Sequence, residues 1–469
     1  MKKAVIIGGG VSGLFSAYLL AKSNKYEVHI VEKTDKLGGL LKSFDYGEYG
    51  HFDYGAHNIL ELGIKEIDDF FYNLLPQDEW QTTTTINGQI RALTGLLYNK
   101  KLQTNSPFID IRENKNIKEY IGDFFNNLNN TNYEIENINK LDAYSYSIYL
   151  FGEKITNEII TPALKKLYGI HPKELNSMVL FLTQFTRIVL FEEHLMEELV
   201  DCKKIGSRLS YTEQLNLPNK YLAHLRSLYP SKFGIYRVID AIEKKLKDMN
   251  VIFHFNSTIS EINYNNHSIE SITINKEKLK IDNLISSVGL YPLSQMLNLE
   301  HSNNYKFDSN PKTVITNLLI DKKLNCDELS FIYSYDENSS IFRVDNYINY
   351  CNEAIRNNTY PITIESLHFG EINKNKLEDK LINELIEYNL ISKETKISFI
   401  KTEILDYGFP LLTQNNINIV NDLRENIKKL NLSNLTTIGI LSEEGLFFES
   451  QVIKDTYLKI KELLWKKIN

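Results

Sequence analysis

The residues with the plainest chemical content stand at the start of the chain. Gly8-Gly9-Gly10-Val11-Ser12-Gly13 has the spacing G-x-G-x-x-G, with Glu32 further along. In such a turn the first glycine permits a tight bend, the second lets the backbone approach a pyrophosphate, and the third lets a helix pack on a strand. The N–H groups of Val11 and Ser12 would open that helix, and its positive end favours phosphate. A carboxylate at Glu32 suits the hydroxyls of an adenosine ribose and disfavours a 2′-phosphate. The chemistry implied is the binding of a dinucleotide without that extra phosphate.

The flanking pattern supplies the elements this needs. Residues 4–7 are apolar throughout, as in a buried parallel strand. Residues 12–22 have helical spacing, with Leu14, Tyr18 and Leu19 inward, and 28–31 form a second strand. Residues 4–39 thus make one βαβ unit. An amphipathic helix is expected over 64–75, and a hairpin over 81–102 turning at Asn87-Gly88. Spacing from 117 to 228 is mostly helical, including 179–199. Strands return at 251–264, 271–274 and 283–288. Further strands at 313–321, 331–334, 341–344 and 362–368 imply a separate antiparallel sheet. Helices are expected over 377–388 and 452–467.

Composition narrows the class. A chain of 469 residues, 42% hydrophobic and 24% charged, can bury a large core in two or three lobes. A net charge of −7 and a pI near 5.9 give no basic surface for nucleic acid. No apolar run reaches the length of a membrane span. Cys202, Cys326 and Cys351 are far apart, which fits neither a disulfide framework nor a zinc site and suits a reducing compartment. The start superficially resembles a signal peptide, but glycines 8–10 interrupt its apolar stretch, so a cytoplasmic protein is expected. The oligomeric state is left open.

Beyond the glycine turn, Glu32 to Gly38-Gly39 resembles the E-x-x-x-x-x-G-G segment of glutathione-reductase-type flavoproteins. Phe52-Asp53-Tyr54-Gly55-Ala56-His57 resembles the (F/Y)D-x-G-x-H segment that meets the flavin in the FAD-dependent amine oxidase, protoporphyrinogen oxidase and UDP-galactopyranose mutase superfamily. Residues 149–175, with Phe151-Gly152 and Lys166-Leu167-Tyr168-Gly169, are similar to a helical segment of that superfamily. Tyr229-Pro230, Gly234, the strands at 251–259 and 284–289, and the segment 437–453 continue the likeness to the end of the chain.

The resemblance implies an α/β fold: a Rossmann-like FAD domain discontinuous in sequence, a helical lobe, and a substrate domain with an antiparallel sheet. The expected boundaries are 1–75, 230–300 and 425–469 for the FAD domain, 115–229 for the helical lobe, and 76–114 with 301–424 for the substrate domain. It implies FAD contacts at Gly8, Gly10, Val11, Ser12, Gly13, Glu32 and Lys33. Further contacts fall at Gly39 and Leu40, at Gly55, Ala56 and His57, at Thr258 and Ile259, and at Gly439 and Val452. No metal is implied.

Phe342-Arg343-Val344 resembles the strand that carries an active-site arginine in mutase-like relatives, where it binds a sugar-nucleotide diphosphate. A forked guanidinium suits that role; the alternative is an arginine paired with Asp345 or another nearby acid. Arg91 and Tyr98 are weaker candidates on the same grounds. The segment after Gly439 departs from the mutases: Ile440 stands where they have arginine, and Glu443–Ser450 replaces their tyrosine-rich run.

The implied activity is flavin oxidoreductase or redox-neutral, mutase-like chemistry on a nucleotide sugar or related glycosyl substrate. Arg343 would meet substrate and His57 the flavin. Two other readings stay open, an amine- or porphyrinogen-type oxidase using oxygen and a non-catalytic flavin-binding protein. The apolar run Val179–Phe191 would serve a greasy substrate or a membrane surface, or simply the core of the helical lobe.

Overall fold

The computed structural model describes the chain except residues 83–91, 132–136, 216, 218–224, 301–303, 352, 406–407 and 466–469. A five-stranded parallel sheet forms its first layer. Its order is Ile252–His254, Tyr26–Val31, Lys2–Ile7, Asn283–Ser286 and Leu435–Thr437. Its strands come from three distant stretches of chain, so this domain is discontinuous. The helix Val11–Lys22 crosses between the first two strands, and Leu14 and Phe15 are fully buried beneath it. The closing helix Glu449–Trp465 shares this core through Ile453 and Ile460. Each such side chain removed from water contributes about 1.5–3 kcal/mol.

The second layer is a seven-stranded sheet. Its order is Ile397–Leu405, Lys312–Ile320, Tyr360–His368, Arg343–Asn346, Leu329–Ser334, Leu93–Tyr98 and Lys101–Gln103. All its pairings are antiparallel except that of Leu329–Ser334 with Leu93–Tyr98. The hairpin differs from expectation. Its described turn is Asn99-Lys100, where both residues take positive φ, as a tight two-residue turn requires. Gln81 and Thr82 pair instead with Tyr229 and Leu228, and Asn87-Gly88 lies outside the described residues.

The helical lobe is built on Ile117–Asn130, Ala143–Phe151 and Thr161–Tyr168. The expected helix over 179–199 is broken into Val179–Leu182 and Glu193–Leu199. Gln184 at φ +58 ends the first piece. Ile188 and Val189, β-branched and stiff, instead bridge to Leu209 and Asp110 in extended conformation. Phe185, Ile188 and Leu190 are buried in the lobe's core, so most of this run is packing rather than a lipid-facing surface. Among the described residues no helix is long and apolar enough to cross a membrane.

Candidate functional site

The glycine turn sits between strand Lys2–Ile7 and helix Val11–Lys22, and its glycines are not equivalent. Gly8 has φ +97, and a Cβ there would lie 2.5 Å from Ser287 Oγ. A Cβ on Gly13 would lie 2.1 Å from Gly8 O, so only glycine lets the helix approach this closely. At Gly10 a Cβ would meet nothing within 4 Å. That open cradle faces a helix start with no side-chain cap and no acidic residue in its first turn. N–H groups that begin a helix need an acceptor from elsewhere, and a pyrophosphate meets that need with the dipole in its favour. The chemistry and space of the turn fit a dinucleotide.

Glu32 follows strand Tyr26–Val31 and points back at the turn. Its Oε2 accepts from Gly9 N at 2.8 Å, and its Oε1 accepts from Thr34 N at 3.0 Å and Thr34 Oγ1 at 2.7 Å. Its backbone joins the third strand: Glu32 N donates to His254 O, and Ser257 N donates to Glu32 O, both at 2.9 Å. Thr258 and Ile259 come directly after; Thr258 is exposed, whereas Ile259 is core. Gly38 N donates to Gly9 O, and a Cβ on Gly39 would be 3.3 Å from Gly10 Cα. Gly39 thus lies over the turn; Leu40 follows it, half-buried, and Lys33 is exposed. Gly439, at φ +99, approaches from the other side, where a Cβ would lie 3.0 Å from Ser287 O. Ser287 Oγ donates to Ile7 O at 2.8 Å, tying the two loops together. The Val452 side chain is buried in the closing helix.

His57 and Arg343, 286 positions apart, meet through a residue the sequence reading did not single out, Glu365. Its Oε1 accepts from Ala56 N at 3.2 Å and pairs with Arg343 Nη2. Gly55, at φ +120, leaves room for it: a Cβ there would stand 2.7 Å from Glu365 Oε1. Arg343 Nε also lies 3.1 Å from Asp345 Oδ1, and Nη1 donates to Tyr333 OH at 3.1 Å. Strand alternation puts Arg343 and Asp345 on one face, with Glu365 opposite Arg343 on the next strand. Burial opposes the Arg343 charge, but Glu365 and Asp345 more than offset it and hold the guanidinium ionised. Burial pushes the Asp345 carboxyl well above its usual range, with Arg343 pulling it back. Burial pushes His57 down to about 4, Glu365 opposing and Arg343 reinforcing, so its imidazole is neutral at neutral pH.

Two signals could have revealed the missing residues. Glu365 is a lone acid inside the apolar strand Tyr360–His368, and Asp345 is two residues from Arg343, hence on its face. Asp53, in the same motif as His57, is a structural knot. It accepts from Tyr229 OH and Ser43 Oγ, both at 2.6 Å, and from Ile235 N at 3.0 Å; burial raises it to about 6. Lys166 fastens the helical lobe to the sheet through Ser334 O at 2.5 Å and through Ile341 O, and burial lowers it to about 7. Tyr98 is half-buried near Asp336, Glu337 and Glu158, away from the His57 cluster, and Arg91 lies outside the described residues.

Residues 6–74 match the NAD(P)-binding Rossmann-like domain. The whole chain superposes on reduced UDP-galactopyranose mutase with a TM-score of 0.77 at 16% identity, covering 99% of this chain and 96% of the mutase. It also superposes on putrescine oxidase with a TM-score of 0.63 at 10% identity, covering 99% of both. Its fold is the one these two proteins share. In sequence, the chain is 24% identical over 303 residues to 1-hydroxycarotenoid 3,4-desaturase of Flavobacterium sp. (strain P99-3), covering 63% of this chain and 58% of the desaturase. It is 40% identical over 76 residues to carotenoid phi-ring synthase of Chlorobaculum tepidum, a match to 10% of that protein. The chain thus spans less than two thirds of the curated relatives it matches.

Proposed function

We propose that this chain is an FAD-dependent enzyme, an oxidoreductase or mutase-like flavoenzyme, acting on a glycosyl substrate. The observation that carries the cofactor is the open cradle at Gly10, with Glu32 beside it. When bound, the flavin supplies hydride- or electron-transfer chemistry at its ring. Val11, Ser12 and Gly13 would hold the pyrophosphate through backbone N–H groups, and Glu32 would receive the ribose hydroxyls. Gly39, Leu40, Lys33, Thr258 and Ile259 would complete the nucleotide end of the site. Gly55, Ala56, His57, Gly439 and Val452 would belong to its flavin end. Neutral His57 contributes one donor and one acceptor there and no charge.

The substrate class rests on the wall beside His57. Arg343, Asp345, Glu365 and Tyr333 make it polar and charged, which suits a hydroxylated substrate better than an apolar polyene. Hydroxyl-rich sugars provide both donors and acceptors. The mutase superposition over nearly the whole chain supports the same choice, and a nucleotide sugar is the form to test first. A second reading, an amine oxidase, is favoured by the two carboxyls set against one guanidinium, an excess that suits a cationic group. The deciding experiment purifies the protein, reads flavin absorbance, and titrates oxidised and dithionite-reduced protein with UDP-sugars and with diamines. Flavin loading with perturbation of its spectrum by a UDP-sugar supports the glycosyl reading. Turnover of an amine with oxygen uptake and no response to UDP-sugars overturns it. Failure to bind FAD removes both.

A further inference from the structure

The closing helix Glu449–Trp465 lies alongside helix Val11–Lys22 and runs the same way. Lys22 and Lys461, toward the far ends of the two helices, both pair with Glu66, at 3.2 and 2.6 Å, and Ile453 shares the core of Leu14 and Phe15. Both helices therefore start at the carboxyl end of the parallel sheet, where the glycine turn and Gly439 stand. The buried stripe of the closing helix is Val452, Ile453, Thr456, Ile460 and Leu463. Glu449 precedes its first two members by one helical turn, so it carries that inward face to the helix start. Gln451 Oε1 accepts from Phe447 N at 3.3 Å and Phe448 N at 3.2 Å, which fixes the entry to the helix.

A carboxylate at a helix start is ordinarily favoured by the dipole. Burial instead pushes the Glu449 carboxyl up to about 7, and no hydrogen bond or charge of the described residues contributes. The residue is nevertheless only half-buried. That combination belongs to a group lining a cleft within the protein. Charged groups of the neighbouring segments are engaged elsewhere: Glu443 with Lys459 and Lys428, Asp455 with Lys459, and Arg424 with the carbonyls of Leu441 and Ser442. Glu444 is exposed, and the facing first turn, Val11-Ser12-Gly13, carries no charge.

We propose that Glu449 is a cofactor-binding residue, which as the neutral acid donates a hydrogen bond to an acceptor on the flavin ring, so that FAD binding takes up a proton. This rests on the FAD reading, in which Gly439 and Val452, on either side of Glu449, belong to the flavin end. Ionised, the carboxyl could only accept, and would set its charge against the ring's carbonyl and nitrogen acceptors. Glu449 belongs to the segment Glu443–Ser450, where the sequence departs from the mutases.

The test dilutes flavin-loaded, full-length protein between pH 6 and pH 8 and reads the FAD affinity from the fluorescence of released flavin. Wild-type affinity should fall by about tenfold across that interval, and calorimetry of FAD binding at pH 7, in buffers of different ionisation enthalpy, should show uptake of about half a proton. Glu449→Gln keeps a donor and cannot titrate, so at every pH it should bind about as tightly as wild type does at pH 6. Asp53 and Lys166, at about 6 and about 7, titrate in the same range but are common to both proteins, so the difference between the two isolates Glu449. A wild-type affinity that stays flat, or an equal fall in Glu449→Gln, overturns the proposal. Should the variant fail to fold, absence of proton uptake by wild type overturns it alone. No FAD binding at any pH removes the cofactor reading as well, whereas a flat profile leaves that reading standing.

Discussion

Two carboxyls around one buried guanidinium make a sharp thermodynamic prediction. Arg343 lies against Asp345 at 3.1 Å and against Glu365, with both acid side chains under a tenth exposed. At an effective dielectric constant of about 20, a pair of unit charges about 4 Å apart interacts by roughly 4 kcal/mol. Asp345→Asn leaves Arg343 paired with Glu365. Glu365→Gln leaves it paired with Asp345 and keeps an oxygen to accept from Ala56 N. Each single change should therefore cost only about 1 kcal/mol, because one acid still matches one base. The double change strands a buried cation and should cost about 3–5 kcal/mol. The expected coupling is thus about 1–3 kcal/mol beyond additivity. Equilibrium urea unfolding of the four proteins, followed by circular dichroism with flavin removed, measures it. Singles that each cost about 3 kcal/mol or more and simply add would refute the account, as would a double variant no less stable than the worse single.

Other consequences are as direct. Gly10→Ala should leave stability within about 0.5 kcal/mol, since its backbone φ of −75° accepts alanine and its Cβ meets no protein atom; FAD affinity should fall by about tenfold or more as the methyl enters the phosphate cradle. Gly13→Ala should do the reverse, lowering the unfolding midpoint even without cofactor, because its Cβ would lie 2.1 Å from Gly8 O. Gly55→Ala should cost about 2–5 kcal/mol, combining positive-φ strain with displacement of Glu365; an unchanged midpoint would contradict the contact at 2.7 Å. His57, lowered from 6.5 to about 4, favours the folded state fully above pH 6.5 and loses that contribution as pH falls toward 4. The unfolded chain takes up the proton first, so up to about 3 kcal/mol should disappear across that window, and His57→Asn should flatten the acid limb of a stability-versus-pH curve.

Much of the nucleotide half was legible because its signals are local. The apolar strand, the glycine turn and the helix after it are neighbours in sequence, and backbone sterics tie each glycine to its place. The closing helix and the amphipathic helix at Lys374–Glu387 were legible for the same reason, through periodicity. The expected helix over 179–199 was not, since apolar residues at helical spacing also fit a short helix followed by an extended core segment. The hairpin turn was misplaced because Asn87-Gly88 has the residue types of a tight turn, yet strand pairing near Trp80–Thr82 is decided by a segment beyond residue 226.

The glycine turn and Glu32 by themselves determined a dinucleotide fold, and the segments Phe52–His57 and Phe342–Val344 marked His57 and Arg343 as worth attention. What those two residues face was decided only by the tertiary structure. Glu365 is on a different strand from either, and it reaches Ala56 and Arg343 at once only because the sheet register sets it opposite Arg343. A guanidinium's capacity to bind phosphate depends on whether its charge is already matched, and the acids that match it can come from anywhere in the chain. The pattern around residue 343 shows an arginine; the fold shows that it is already paired.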